Sequence, residues 1–194
     1  MKTLFFIPVM LLSISLSAQK FQLGIKGGVN VSNFTGGDFQ NVDKKAIIGY
    51  HAGGFLSFLV GENFAIQPEV LFSSQGAKLE TAGNKENFKV SYLNVPVLAK
   101  FRFNGGFYLE AGPQFGFKLS EDVPENTIDN FAKNLDLSLD AGLGFHGASG
   151  LGIGGRYCAG LSKVGDFSSS SISPDFKNGV VQFFIFYTLF NNKK

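Results

Sequence analysis

The chain carries 194 residues, with 17 Lys and Arg against 15 Asp and Glu, so its formal charge is 17 − 15 = +2 and no nucleic-acid footprint is visible. That length fits one domain, and 23 Phe and 25 Gly with no Trp suit long, closely packed β-strands rather than helices. A single cysteine, Cys158, excludes an intrachain disulfide, and beyond the N-terminus no apolar run reaches the ~18 residues a membrane helix needs.

Residues 1–18 read as an export signal, with Lys2, the apolar stretch Leu4 to Leu16, and Ser17-Ala18 before Gln19. A short basic head, an apolar middle and a small-residue end mark a segment that is cleaved. Residues 19–194 are then the mature domain. No cysteine lies near the cleavage point, which excludes a lipoprotein modification there. An exported protein of this size without disulfides must be stabilised another way, and a closed sheet in lipid does that.

From there the chain alternates at period two, the signature of strands with one apolar and one polar face. Strand one sets Leu23, Ile25, Gly27, Val29 and Val31 against Gly24, Lys26, Gly28, Asn30 and Ser32, before a polar loop over Asn33 to Ala46. Strand two, Ile48 to Leu59, sets Tyr50, Ala52, Leu56 and Phe58 against His51, Gly53 and Ser57, with Phe55 anomalously on the His51 face. After a tight turn at Val60-Gly61-Glu62-Asn63, strand three sets Phe64, Ile66, Pro68, Val70 and Phe72 against Gln67, Glu69, Ser73 and Gln75. A loop of roughly a dozen residues, its tip near Gly83 to Glu86, leads to strand four. There Leu93, Val95, Val97, Ala99, Phe101 and Phe103 oppose Tyr92, Asn94, Lys100 and Arg102.

The hairpin signal Asn104-Gly105-Gly106 opens strand five, where Phe107, Leu109, Ala111, Pro113, Phe115 and Phe117 oppose Tyr108, Glu110, Gly112, Gln114, Gly116 and Lys118. Ser120 to Asn134 is a long loop, acidic through Glu121, Asp122, Glu125 and Asp129. Strand six sets Leu135, Leu137, Leu139, Ala141, Leu143 and Phe145 against Asp136, Ser138, Asp140, Gly142, Gly144 and His146. A turn at Gly147-Ala148-Ser149-Gly150 leads to strand seven, with Leu151, Ile153, Tyr157 and Leu161 against Gly152, Gly154, Arg156, Cys158 and Ser162. A Ser-rich loop, Lys163 to Asn178, precedes strand eight, Val180 to Phe190, which is apolar on both registers and leaves its faces unassigned.

Runs of ten to twelve residues exceed ordinary strands of about five to six and match the roughly nine to eleven tilted residues that cross a bilayer. Eight strands with alternating long and short connections predict an all-β, antiparallel, up-and-down transmembrane barrel of the outer membrane, with short turns and both termini in the periplasm. In lipid every backbone polar group must pair, and closure leaves no edge. The rival is a soluble eight-stranded barrel of the lipocalin kind, with its apolar face inside. Two features favour apolar-out. The apolar faces are uniformly bulky and nearly free of charge, while the polar faces mix charges with many glycines. Small residues relieve crowding on a concave wall but needlessly weaken a water-facing one.

Several segments together carry a resemblance: Gly49-Tyr50-His51-Ala52-Gly53; Ile66-Gln67-Pro68-Glu69 with Ser73 to Ala77; Tyr92-Leu93-Asn94-Val95-Pro96-Val97 with Lys100; Ala111-Gly112-Pro113; and Gly155-Arg156-Tyr157 with Gly160-Leu161. In order and spacing they resemble the PorT-like "porin family" of outer-membrane β-barrels common in Bacteroidetes, over about residues 20–190. The resemblance implies an eight-stranded outer-membrane barrel with no catalytic residues. The best-described branch of that family takes part in secretion and gliding-type machinery, but nothing in these residues singles out that branch. Members often end on the last aromatic, whereas here Phe190 is followed by Asn191-Asn192-Lys193-Lys194.

The polar faces hold Lys26, Glu69, Lys100, Arg102, Glu110, Asp140 and Arg156. Counted from the tight turns, all but Arg102 fall at similar heights and should share one layer of the lumen. Four cations and three anions predict a salt-bridged structural plug, because unpaired charges in a narrow lumen would each cost several kcal/mol. The other reading is a polar path for small solutes or protons, although an eight-stranded barrel is only wide enough for its own side chains. His51 and His146 are expected near opposite ends of the lumen, so no two-His metal site is expected. Ser149 lacks a base or acid nearby. Gly142-x-Gly144-x-x-Gly147 and Gly150-x-Gly152-x-x-Gly155 match a dinucleotide fingerprint by letters, but no helix pattern follows either one. The acidic loop reads as a solvated loop in preference to a calcium or lipopolysaccharide bridge, and the Ser168 to Ser171 run as a loop tip.

No cofactor and no nucleic-acid partner are expected. The partners expected are outer-membrane lipid, the barrel assembly machinery, and unidentified proteins meeting the outer loops. The expectation is a non-enzymatic membrane scaffold or interaction protein. A narrow channel or transport accessory is the alternative, and a lipid-modifying enzyme a third.

Overall fold

Eight antiparallel strands close on themselves in the computed structural model, which describes residues 20–36, 43–81, 84–122, 132–165 and 175–192. They are β1 (Phe21–Gly36), β2 (Asp43–Val60), β3 (Phe64–Thr81), β4 (Asn84–Arg102), β5 (Phe107–Asp122), β6 (Leu135–His146), β7 (Leu151–Gly160) and β8 (Phe176–Asn192). Each strand pairs with its neighbours in sequence, and β1 closes on β8 through partners running from Phe21 opposite Asn192 to Gly36 opposite Phe176. The export signal, Gly37-Asp38, Gly83, Glu125 and Asp129 of the acidic loop, the Ser168 to Ser171 run and the terminal Lys193-Lys194 lie outside the described residues.

Exposure decides which face is inside. Val97, Leu109 and Leu139 lie outside at 38%, 44% and 52% exposure, while Glu69, Lys100 and Arg156 are at 1–2% within the cylinder. The sheet is therefore apolar outward, opposite to a soluble carrier. On β5 the outward apolar set runs from Phe107 to Leu119. Twelve steps at ~3.3 Å and a ~40° tilt give about 30 Å of height, enough to span the apolar band of an outer-membrane barrel. Near the short-turn end the band closes in a ring of phenylalanines, with Phe21 against Phe190, Phe101 against Phe103, and Phe103 against Phe107 at centroid distances of 5.4, 5.0 and 5.5 Å. Gly105 and Gly106 of the β4–β5 turn have φ of 89° and 94°, backbone a side chain would strain.

Two sequence expectations change and one open assignment is filled. The dozen-residue loop between strands three and four is strand almost to its tip, as β3 continues to Thr81 and β4 starts at Asn84. Polar side chains above the membrane mask a ladder that backbone hydrogen bonding continues. Likewise β1 reaches Gly36, β2 begins at Asp43, β5 reaches Asp122 and β8 begins at Phe176, while β7 ends at Gly160. Lastly, β8 resolves its faces: Val180, Gln182, Phe184, Phe186 and Thr188 point inward, and Val181, Phe183, Ile185, Tyr187 and Leu189 outward.

The inward glycines serve two purposes. Some make room for inward rings: a Cβ at Gly24 would lie 2.2 Å from the Phe55 ring. Others let neighbouring backbones close in: a Cβ at Gly53 would lie 2.0 Å from the Val70 carbonyl oxygen. Glycine kinks of that second kind are how a sheet curls tightly enough to close.

Candidate functional site

Among the described residues, the buried ionisable groups converge in the interior, which is layered from the short-turn end outward. At that end Arg102 donates from Nη2 to Gln22 Oε1 at 2.6 Å, and Gln22 donates to Asn191 Oδ1 at 3.2 Å. His146 contacts Thr188 Oγ1 at 3.1 Å.

Above them Phe55, Tyr108, Phe184 and Phe186 form an apolar cluster. Phe55 meets Phe186 edge-on, with centroids 5.8 Å apart. Each ring lies over glycine: Phe55 over Gly24, Phe186 over Gly152, and Phe184 and Tyr108 over Gly154. The anomalous inward Phe55 thus completes an aromatic floor.

Three cations stand on that floor. Lys26 Nζ lies 4.2 Å above the Phe184 ring, Lys100 Nζ 3.6 Å above Tyr108, and Arg156 5.4 Å from Phe184. Such cation–ring contacts strengthen when desolvated. Arg156, from β7, is the hub. Its Nη1 and Nη2 donate to Glu69 at 3.1 and 3.2 Å, and its Nε and Nη2 to Glu110 Oε1 at 3.0 and 2.7 Å. Glu69 also accepts from Lys26 at 2.5 Å and from Gln67 at 2.7 Å.

The β4–β6 side of the layer is looser. Lys100 is 3.7 Å from Glu110 Oε2, and Asp140 Oδ2 is 3.7 Å from Arg156 Nη1. Neither carboxylate oxygen accepts a hydrogen bond in the structure. Lys26, Glu69, Lys100, Glu110, Asp140 and Arg156 therefore meet in one buried layer with three charges of each sign. Arg102 stands apart from it, near the short-turn mouth with Gln22, because it lies one inward position nearer the turn than Lys100.

A polar layer follows. Asn30 touches His51 Nδ1 at 2.7 Å and donates to Ser73 at 3.0 Å, and Gln114 donates to Ser138 at 2.9 Å. His51 is 1% exposed in mid-lumen, not near an outer rim. Its partner Ser73 on β3 fixes that height through the β2–β3 register.

The outer end is apolar again: Phe34, Leu79, Phe88, Val90 and Phe176 pack with Ala132 and Val164. Ala132 and Val164 belong to the bases of the two loops flanking β6 and β7, which are tied by a bridge between Ala132 and Gly165 and by Val164 N donating to Phe176 O at 2.8 Å. Sequence reasoning missed this cap. Its inward residues lie in stretches read as loop, where Phe34, Phe88 and Phe176 were the available signal.

The carboxylates are held by cations rather than aimed at open space, and Ser149 sits in an exposed turn. Among the described residues no group of three His, Cys, Asp or Glu could hold a metal ion. The segment Gly150-x-Gly152-x-x-Gly155 is a turn and the start of β7, with Gly152 beneath Phe186.

The family described as "Outer membrane protein beta-barrel domain" matches residues 17–166. A comparison with curated proteins finds no match. Among solved structures, neisserial surface protein A is similar at 11% identity, covering 86% of this chain and 97% of its own, with a TM-score of 0.56. Ail, the attachment invasion locus protein of Yersinia pestis, is similar at 16% identity, 89% and 100% coverage and a TM-score of 0.50. The outer membrane protein OprG from Pseudomonas aeruginosa is similar at 11% identity, 88% and 96% coverage and a TM-score of 0.50. At these identities the likeness is one of fold. Closed topology, an apolar exterior of bilayer height and a family match over most of the sequence agree, and the chain belongs to the outer-membrane β-barrel domain family and resides in the outer membrane.

Proposed function

We propose that this barrel is a non-enzymatic, non-conducting scaffold of the outer membrane, of the PorT-like kind, which meets protein partners through its outer loops. One observation carries the reading: the ionic layer lies between two packed apolar seals, Phe55, Tyr108, Phe184 and Phe186 below and Phe34, Phe88, Val90 and Phe176 above. Among the described residues, each seal interrupts the polar lining of the lumen, which favours a closed barrel. A lumen filled by ion pairs and rings is a solid core, and the working surface is then the outside. The burial of His51 weighs against a lipid-modifying enzyme, which needs a base at the outer rim.

The purified barrel in planar bilayers is expected to show no steady single-channel openings, and stable large openings would end this reading. A second reading, a narrow path for protons or water, draws on the mid-lumen polar atoms without hydrogen-bond partners, His51 Nε2, Gln114 Oε1 and Gln182 Oε1. Proton flux into liposomes loaded with a pH dye separates the two. Crosslinking in intact outer membranes identifies the partner.

A further inference from the structure

The tip of the β2–β3–β4 wall rises above the apolar band as hydrogen-bonded sheet, and its outward face is rich in lysine. Lys45 lies directly opposite Lys78, Lys78 opposite Asn87, and Glu80 opposite Lys85. Lys89 lies opposite Gly76, which puts no side chain beside it. The Glu80 carboxylate sits among three ammonium groups, with Lys45, Lys78 and Lys85 at 2.6, 3.4 and 3.7 Å, and Asp43 beside it adds a second negative charge that also acts on Lys45. The Lys45 hydrogen bond holds the Glu80 carboxyl below its usual range, so it stays ionised, yet Glu80 and Asp43 together do not neutralise the three lysines around them. Lys89 makes no ion pair among the described residues. Its register partner on β5 is Asp122, and Asp43 lies opposite Glu80.

Height sorts these charges. The last outward apolar side chains on β3 and β4 are Phe72 and Leu93. Lys89 stands four residues above Leu93 and Lys78 six above Phe72, about 10 and 15 Å of height at ~3.3 Å per residue and a ~40° tilt. On β2 and β3 the carboxylates of Asp43 and Glu80 lie farther out than Lys45 and Lys78. The first charges met above the hydrocarbon on this wall are therefore positive. A simple phospholipid head extends only about 5–8 Å beyond the acyl chains, whereas phosphates carried on sugar rings reach higher.

The geometry points to a docking face for the phosphorylated sugar headgroups of outer-leaflet glycolipid, built from Lys45, Lys78 and Lys89 with Asn87 between the last two. The sheet holds these positions in fixed register, so the lysines form a surface rather than a set of loop charges. Lysines near a membrane surface each contribute to anionic lipid binding, and salt screens them.

The test uses the full mature barrel in detergent micelles, titrated with phosphorylated lipopolysaccharide, the same material dephosphorylated, phosphatidylglycerol, and inorganic phosphate. Replacing Lys45, Lys78 and Lys89 together by Gln is expected to weaken binding of the phosphorylated glycolipid by roughly fivefold per lysine, about 100-fold in all. Replacing Lys133, Lys163 and Lys177 by Gln is expected to change it less than about twofold by the same reasoning. Equal binding of the dephosphorylated lipid, tighter binding of phosphatidylglycerol, equal competition by inorganic phosphate, or equal losses in the two triple variants would each overturn the proposal. Circular dichroism verifies that both variants keep their β-structure.

Discussion

Arg156 is the side chain on which most of the buried charge depends. It is 2% exposed and shared between Glu69 and Glu110. Removing one partner of a buried ion pair strands the others, at a cost of about 3–5 kcal/mol. Arg156→Gln is therefore expected to lower unfolding stability in urea by about that much, with the barrel still able to fold at low denaturant. An unchanged midpoint would mean that solvent reaches these carboxylates. The charges of this layer could be read from alternation alone, since Lys26, Glu69, Lys100, Glu110, Asp140 and Arg156 all occupy polar-face positions. Which charge meets which could not, because strand tilt offsets the heights of neighbouring strands. That offset gives Arg156 two glutamates and leaves Arg102 with Gln22.

At the scale of single strands, β7 and β8 show ring and glycine acting as a unit. A Cβ at Gly152 would sit 2.1 Å from Phe186 Cζ, so Gly152→Ala must push the ring off the floor it shares with Phe55 and Tyr108. Overpacking of this kind costs about 1–3 kcal/mol. Phe186→Leu added to Gly152→Ala is expected to recover part of that loss, and a double-mutant cycle in urea measures the coupling; strictly additive effects would show that the two side chains do not meet. β8 was illegible beforehand because both of its faces are apolar. The inward set of Phe184 and Phe186 packs against rings, while the outward set of Phe183 and Ile185 faces lipid, and hydrophobicity does not distinguish those surroundings. Element ends were misread for a related reason. Where β3 and β4 leave the bilayer their outward residues become Lys, Glu and Asn, which resemble loop although Lys78 opposite Asn87 is regular ladder.

For the molecule as a whole, strand number and topology followed from eight alternating runs and the rhythm of long and short connections, whereas the double seal did not. The floor depends on Phe55, which looks anomalous on a polar face, and on Phe186, which comes from a strand apolar on both faces. The cap depends on residues from four strands and two loop bases. The two seals act in series, so opening one alone should not make a pore. The double variant Phe184→Ala with Phe186→Ala is expected to remain closed in planar bilayers, since Phe34, Phe88 and Phe176 still fill the outer end. Steady conductance from that variant would show that the cap leaks.

The strands around the ring differ in length, from 18 and 19 residues in β3 and β4 to 12 and 10 in β6 and β7. Counting strand ends among the described residues, one flank is a parapet and the other a low sill. A molecule with such a profile has a compass bearing within the membrane plane. Neighbours approaching over the sill meet a different contour from those approaching the parapet, so crowding alone would favour particular headings in a packed outer membrane.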